Sequence, residues 1–217
     1  MGYCQLPQPR LVCAEFFASK VVVEATLVNV RAIADKTDPE DVLARIYSLR
    51  GDKFFRGNIS GVFHVYEGND SGRATFDWKV GQKYLLFLLF VPSEKSWRLD
   101  GCGNSGPLSK AEPVLEQIKS IQRAHGDGFI HGVVSQQAVN ETVSGVQVEA
   151  RGRQGAYTAT TNQKGEFEIS APPGSYVVRA IKTGLKFDTA EFSYEDPENV
   201  HIEPGGCAQV QLVARPD

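Results

Sequence analysis

With 217 residues, 41% hydrophobic and 23% charged, the chain has the composition of an ordinary folded protein, which excludes disorder and leaves room for one large domain or two of about 100 residues. Its net charge of -3 divides unevenly: residues 1–126 hold 16 Lys and Arg against 14 acids, and residues 127–217 hold 7 against 12. Neither half concentrates the basic charge that nucleic-acid binding needs, and the longest apolar run, Tyr84 to Pro92, is far short of the roughly 20 residues that span a bilayer.

In chain order, the β-branched run from Val21 to Ile33 predicts a long strand, and Asp35 to Glu40 supplies turn chemistry after it. Further strands are expected at Leu43 to Arg50, Gly57 to Tyr66 and Gln82 to Phe90, with Gly68 to Gly72 as a loop. Ser109 and Glu112 have capping-box spacing, and Val114, Leu115, Ile118 and Ile121 recur on one helical face, so a helix closes the first module. Strands followed by one helix suit a five-stranded barrel of the oligonucleotide- and oligosaccharide-binding (OB) type.

At Gly126-Asp127-Gly128 the pattern changes to short strands between regular turns. They are expected at Phe129–Val134, Val146–Gly152, Tyr157–Thr161, Glu166–Ser170, Ser175–Lys182 and Ala208–Ala214, the signature of an antiparallel β-sandwich. The predicted fold is therefore mainly β: an OB-type barrel with a C-terminal helix in residues 1–126, then a sandwich in residues 127–217.

Four cysteines, Cys4, Cys13, Cys102 and Cys207, form no C-x-x-C pair and have no histidine at ligand spacing, so disulfides are expected rather than a zinc site. Only Cys207 lies in the second module, which calls for a bond crossing between modules. Disulfides imply an oxidising compartment, and a secreted or periplasmic protein is expected. The chain shows no export segment, so the expectation includes a signal peptide removed ahead of Met1-Gly2.

Cys13 with the F-x-A-S-K-V-V-V stretch up to Val23, then Phe76 and Gly81–Phe87, then L-D-G-C-G-N-S-G-P-L-S-K-A at Leu99–Ala111, resembles the netrin-like module of the tissue inhibitors of metalloproteinases. The resemblance covers roughly residues 4–123. It implies that Cys4 and Cys13 are the second and third family cysteines. The first would fall at Gly2 and its partner at Ser71-Gly72, and both are missing together. On the same mapping Cys4 pairs with Cys102, which leaves Cys13 with Cys207. The other pairing, Cys13–Cys102 with Cys4–Cys207, also crosses the modules and stays open. A Cys13–Cys207 bond closing so long a loop is worth on the order of 5 kcal/mol on the chain-entropy account, and it is expected to lock the two domains at a fixed angle.

The stretch from Gly132 to Ala180, with V-S-G-V-Q-V-E-A and then N-Q-K-G-E-F-E-I-x-A-P-P-G-S-Y-V-V-R-A, resembles the carboxypeptidase regulatory-like, transthyretin-like module. Gly165 is expected to take a positive φ, Phe167 to enter the core and Pro172-Pro173-Gly174 to reverse the chain. The resemblance implies a stabilising or adhesive domain. Hydroxyisourate hydrolysis, another use of this sandwich, ends on Tyr-Arg-Gly-Ser, whereas this chain ends LVARPD.

For chemistry, His64, His125, His131 and His201 are scattered, with no two at helical ligand spacing, and no G-x-S-x-G elbow occurs. His131 and His201 facing each other across the sandwich is the one metal arrangement on offer; solvated histidines are the plainer reading. Glu195, Asp196 and Glu198 read as a solvated loop, since Pro197 interrupts a calcium pattern. Phe54, Phe55, Tyr66, Trp78 and Trp97 are aromatics from which a binding rim is built if any is exposed. No catalytic, cofactor or metal residues are assigned. The expected role is noncatalytic recognition of a protein or glycan at the cell surface, with Cys4, Gln5, Leu6, Asn69, Asp70 and Trp97 as candidate contacts. The second reading is inhibition of a secreted metalloproteinase through the N-terminal segment, Cys4 to Pro9, and neighbouring barrel loops. Family inhibitors place their first cysteine on the catalytic zinc, and that cysteine is missing here.

Overall fold

The computed structural model describes residues 9–35, 42–69, 73–136, 141–190 and 193–217. Their contacts divide into two compact units. One is Ala18–Lys119; the other joins residues 9–17 to Ser120–Asp217. The division differs from the expected 1–126 and 127–217, because a short helix, α1 (Val12–Ala18), packs with the second unit almost to its end.

The first unit carries β1 (Val21–Ala34), β2 (Val42–Arg56), β3 (Val62–Gly68), β4 (Lys83–Val91), β5 (Ser96–Leu99), β6 (Gly106–Pro107) and α2 (Glu112–Ile121). The pairing order β1-β2-β3-β5-β4, with β4 returning to β1, makes the expected ring of five strands. Strand β3 meets β5 in parallel at Val65 and Trp97, while the other ring pairs run antiparallel. Period-two alternation sends Val21, Val23, Ala25 and Leu27 inward to meet Tyr47, Leu49, Phe63, Val65, Tyr84, Leu86 and Leu88. Leu85 and Phe87 on the opposite face of β4 are buried as well, which is why that strand reads as a continuous apolar run. A 3-10 turn at Leu108–Lys110 precedes α2, so Ser109 lies within that turn and the expected capping box does not form; Ile118 is the helix's buried residue.

The second unit stacks two sheets. One has the order β10-β7-β14-β12, from Glu166–Ala171, Gly128–Gln136, Cys207–Pro216 and Leu185–Thr189. The other has the order β13-β11-β8-β9, from Val200–Ile202, Gly174–Ile181, Gln147–Gly152 and Gly155–Thr160. The expectation of wholly antiparallel pairing needs one correction: β14 runs parallel to β7, because the chain crosses from β13 in one sheet to reach the middle of the other. Ile130, Val134, Val148, Phe167, Ile169, Tyr176, Val178, Val210 and Leu212 fill the space between the sheets.

Two local devices fall where expected. Gly165 turns the β9–β10 connection at a φ of 70°, and a Cβ there would lie 2.6 Å from the Val134 carbonyl oxygen. Past the Pro172-Pro173 turn, the Tyr176 hydroxyl donates to the Pro172 carbonyl at 2.6 Å, tying the turn to the strand that leaves it.

Cys13 and Cys207 are bonded, with Cα atoms 5.8 Å apart. Both belong to the second unit, so the bond fastens α1 to strand β14 and does not join one unit to the other as expected. Cys102 is also in a disulfide; its expected partner, Cys4, lies outside the described residues.

Candidate binding groove

Residues 73–82, ahead of β4, fold back over the barrel, and Glu67 at the end of β3 organises them. One carboxylate oxygen accepts from the Tyr47 hydroxyl at 2.8 Å; the other accepts from the Ala74 amide at 2.8 Å and faces Trp78 Nε1 at 3.5 Å. Burial and the neighbouring Glu67 carboxylate hold the Tyr47 phenol above the usual tyrosine range, so it stays a hydrogen-bond donor. Tyr84 secures the far side of the same loop: its hydroxyl accepts from the Lys79 amide at 2.6 Å and lies 3.2 Å from the Asp77 carbonyl. Gly81 then donates to Leu27 and Leu27 to Gln82, returning the loop to β1.

Between loop and barrel lies a groove of about 870 Å³. Its floor is aromatic. Tyr47 and Trp78 stack with centroids 4.4 Å apart, Phe76 lies 4.9 Å from Trp78, and Tyr84 backs both rings. Arg45, Arg73, Lys79 and Lys110 stand around it with Glu67 and Asp77.

Of the expected contact residues, Asn69 lies beside this groove, its side-chain oxygen accepting from Arg73 at 2.9 Å. Trp97 instead packs on Phe90, with ring centroids 5.0 Å apart. Cys4, Gln5, Leu6 and Asp70 lie outside the described residues. Among the other flagged aromatics, Arg98 covers Tyr66 and Lys53 covers Phe55, while Phe54 packs against the barrel core. Sequence reasoning passed over Arg45, Tyr47, Glu67 and Phe76 as groove residues; the one available signal was a long loop carrying F-D-W at its centre.

In the second unit the acidic stretch needs a correction. Asp196 and Glu198 are exposed, Asp196 capping the Glu198 amide at 3.0 Å, but Glu195 is turned inward. Burial raises its carboxyl to about 7, against the opposing pull of the Gln209 amide at 3.3 Å and of Arg10. The reason is the uncovered edge of β14. Strand β12 pairs only as far back as Leu212, and side chains of the 193–195 segment occupy the edge before it, with Ser193 Oγ accepting from Gln211 and Glu195 from Gln209. The Gln209 side chain, fully buried, then accepts from the Leu11 amide at 2.8 Å and donates to the Pro9 carbonyl at 3.0 Å, while Arg10 lies over Tyr194.

The two histidines considered for a metal do not share a site. His201 is exposed and bonded to Ser175 Oγ at 3.2 Å, and His131 lies in register with Glu168 and Gln209. Among the described residues no three His, Cys, Asp or Glu side chains converge as metal ligands.

Residues 130–213 match the carboxypeptidase regulatory-like domain. The matched stretch takes in most of β7, all of β8 to β13 and most of β14, Cys207 included, while α1 with Cys13 lies before it. The comparisons bring nothing to the netrin-like resemblance of the first unit. No curated protein matches the chain significantly. Among solved structures, BcpA*, the major pilin subunit of Bacillus cereus, aligns over 93% of this chain and 61% of its own, at 12% identity and a TM-score of 0.32. The chain thus spans less than two thirds of that pilin chain.

Proposed function

We propose that this protein is a noncatalytic, exported binding protein of the cell envelope, which recognises a protein or glycan through the groove of its barrel. The observation that carries the reading is Glu67. One buried-side carboxylate gathers Tyr47, Ala74 and Trp78, so that a long loop is held over the barrel as the wall of a preformed groove. Preformed concave sites with an aromatic floor and a few polar groups are the usual form of ligand sites. The bonded cysteines support export, because such bonds persist in oxidising compartments. The ring order with a helix after it supports the netrin-like resemblance, and the carboxypeptidase regulatory-like region supports an adhesive or spacing role beside it.

The test is binding of the intact oxidised protein to an array of envelope glycans and proteins, with Glu67→Ala as the comparison. Capture by the wild type and a large loss in the variant is the expected result. Equal capture by both places the binding elsewhere and refutes the reading.

A further inference from the structure

Resting on that reading, we infer that the groove takes an acidic glycan, one bearing uronate or sulfate groups. Four cations surround it; among the described residues three of them, Arg45, Lys79 and Lys110, make no ion pair or side-chain hydrogen bond, and Arg73 meets the neutral Asn69 amide. Of the two acids, Glu67 is committed on both oxygens to holding the loop. Four cations against two acids leave the lining with a net charge of +2, in a protein whose net charge is -3. Elsewhere in the same unit Lys83 and Arg50 pair with Asp52, and Arg98 with Glu94.

The floor selects for sugar over peptide. Phe76 and Trp78 line it and are half-buried, so part of each ring meets the groove, while Tyr47, nearly fully buried, stacks on Trp78. Sugar rings present apolar C–H faces to such surfaces. Around the rim Thr75, Asp77, Gln82 and Ser109 are exposed and suit hydroxyls. Of the strands beside the groove only β2 is paired along both edges, and β1 meets β4 only as far as Thr26, so an acidic peptide adding to the β1 edge is the alternative that the poly-glutamate arm tests. Carboxylate or sulfate groups carried on successive sugars reach the cations around the rim while their rings lie on the aromatic floor.

The experiment is calorimetric titration of the oxidised protein with an alginate hexasaccharide, a heparin hexasaccharide, neutral cellohexaose and a poly-glutamate peptide, with Trp78 fluorescence as a second readout. The comparison protein is the double variant Lys79→Gln, Lys110→Gln; both positions are exposed, so the fold is not at stake. The expected result is binding of at least one acidic hexasaccharide, weakened about 20-fold in the double variant, and weakened again as salt rises from about 0.05 M to about 0.5 M. Cellohexaose binding equally well in both proteins overturns the acidic ligand and leaves the glycan groove standing. Poly-glutamate binding alone, with the same loss in the variant, overturns the glycan and leaves the groove as a protein site. No binding of any probe at about millimolar concentration, where surface-displayed glycans are captured weakly but measurably, refutes the groove as a glycan site altogether.

Discussion

Replacing Glu195 by glutamine should remove most of a pH dependence that the second unit carries. Burial lifts this carboxyl from an ordinary value of 4.5 to about 7. The folded state therefore holds the proton more tightly than the unfolded state. The stabilisation is fully present below pH 4.5, declines as the pH rises through about 7, and is gone above it. At 1.36 kcal/mol per pH unit, the gap is worth about 3 kcal/mol, a large share of the stability of a small domain. Glu195→Gln keeps an oxygen to accept from the Gln209 amide and carries no charge, so it should be more stable than wild type at pH 8 by about 2 kcal/mol, allowing for the lost attraction to Arg10. At pH 4 the two should agree closely. Trp78 and Trp97 both lie in the barrel unit, so tryptophan fluorescence does not report on this event. Amide exchange of β7 and β14 in the oxidised protein, measured across pH 4 to 8 and corrected for intrinsic rates, does. Glu198→Gln, exposed in the same segment, is the control and should leave the profile unchanged. Parallel profiles for wild type and Glu195→Gln would refute the argument.

Three further outcomes follow from described contacts. Gly132→Ala places a Cβ 2.4 Å from the Phe167 ring and 2.6 Å from the Val210 carbonyl, backbone on one side and core on the other; the cost should exceed about 3 kcal/mol, read as lost exchange protection in the sandwich, and a near-neutral result is incompatible with the packing. Gln209→Leu deletes both clips on the N-terminal segment and should cost about 2–3 kcal/mol, with faster exchange concentrated at residues 9–17. Limited tryptic cleavage after the exposed Arg123 should give one band without reductant and two with it, since Cys13 and Cys207 stay joined across the cut; separation without reductant contradicts the bond.

What the sequence disclosed is what repeats locally. The β-branched run of β1, the alternation along β11 and the glycine, phenylalanine and proline turns of the sandwich are short-range patterns, and they landed within a few residues of the observed elements. The helix α1 was invisible because seven residues with two phenylalanines read equally well as the lead into a strand, and its place is set by a bond to a residue 194 positions away. Strands β5, β12 and β13 are too short to show a period. Glu195 was misjudged for the same reason as α1: an acid among acids reads as solvated until the N-terminal segment, distant in sequence, is laid over it. The groove was half legible. Its loop and its tryptophan were in view, but Glu67 gains its role only from Tyr47 on another strand.

The bond between α1 and β14 also sets how the chain carries load. A pull entering ahead of residue 13 and leaving beyond residue 207 passes through the two sulfurs and bypasses the chain between them, the barrel core included, while β14 beyond Cys207, which gives Val210 and Leu212 to the sandwich core, stays in the line of force. With a separation of 194 residues, the bond shields roughly 650 Å of contour length from extension, at about 3.4 Å per residue. Stretched as a single molecule, the oxidised protein should lengthen only by the chain outside Cys13 and Cys207, β14 among it, and reduction should release the rest.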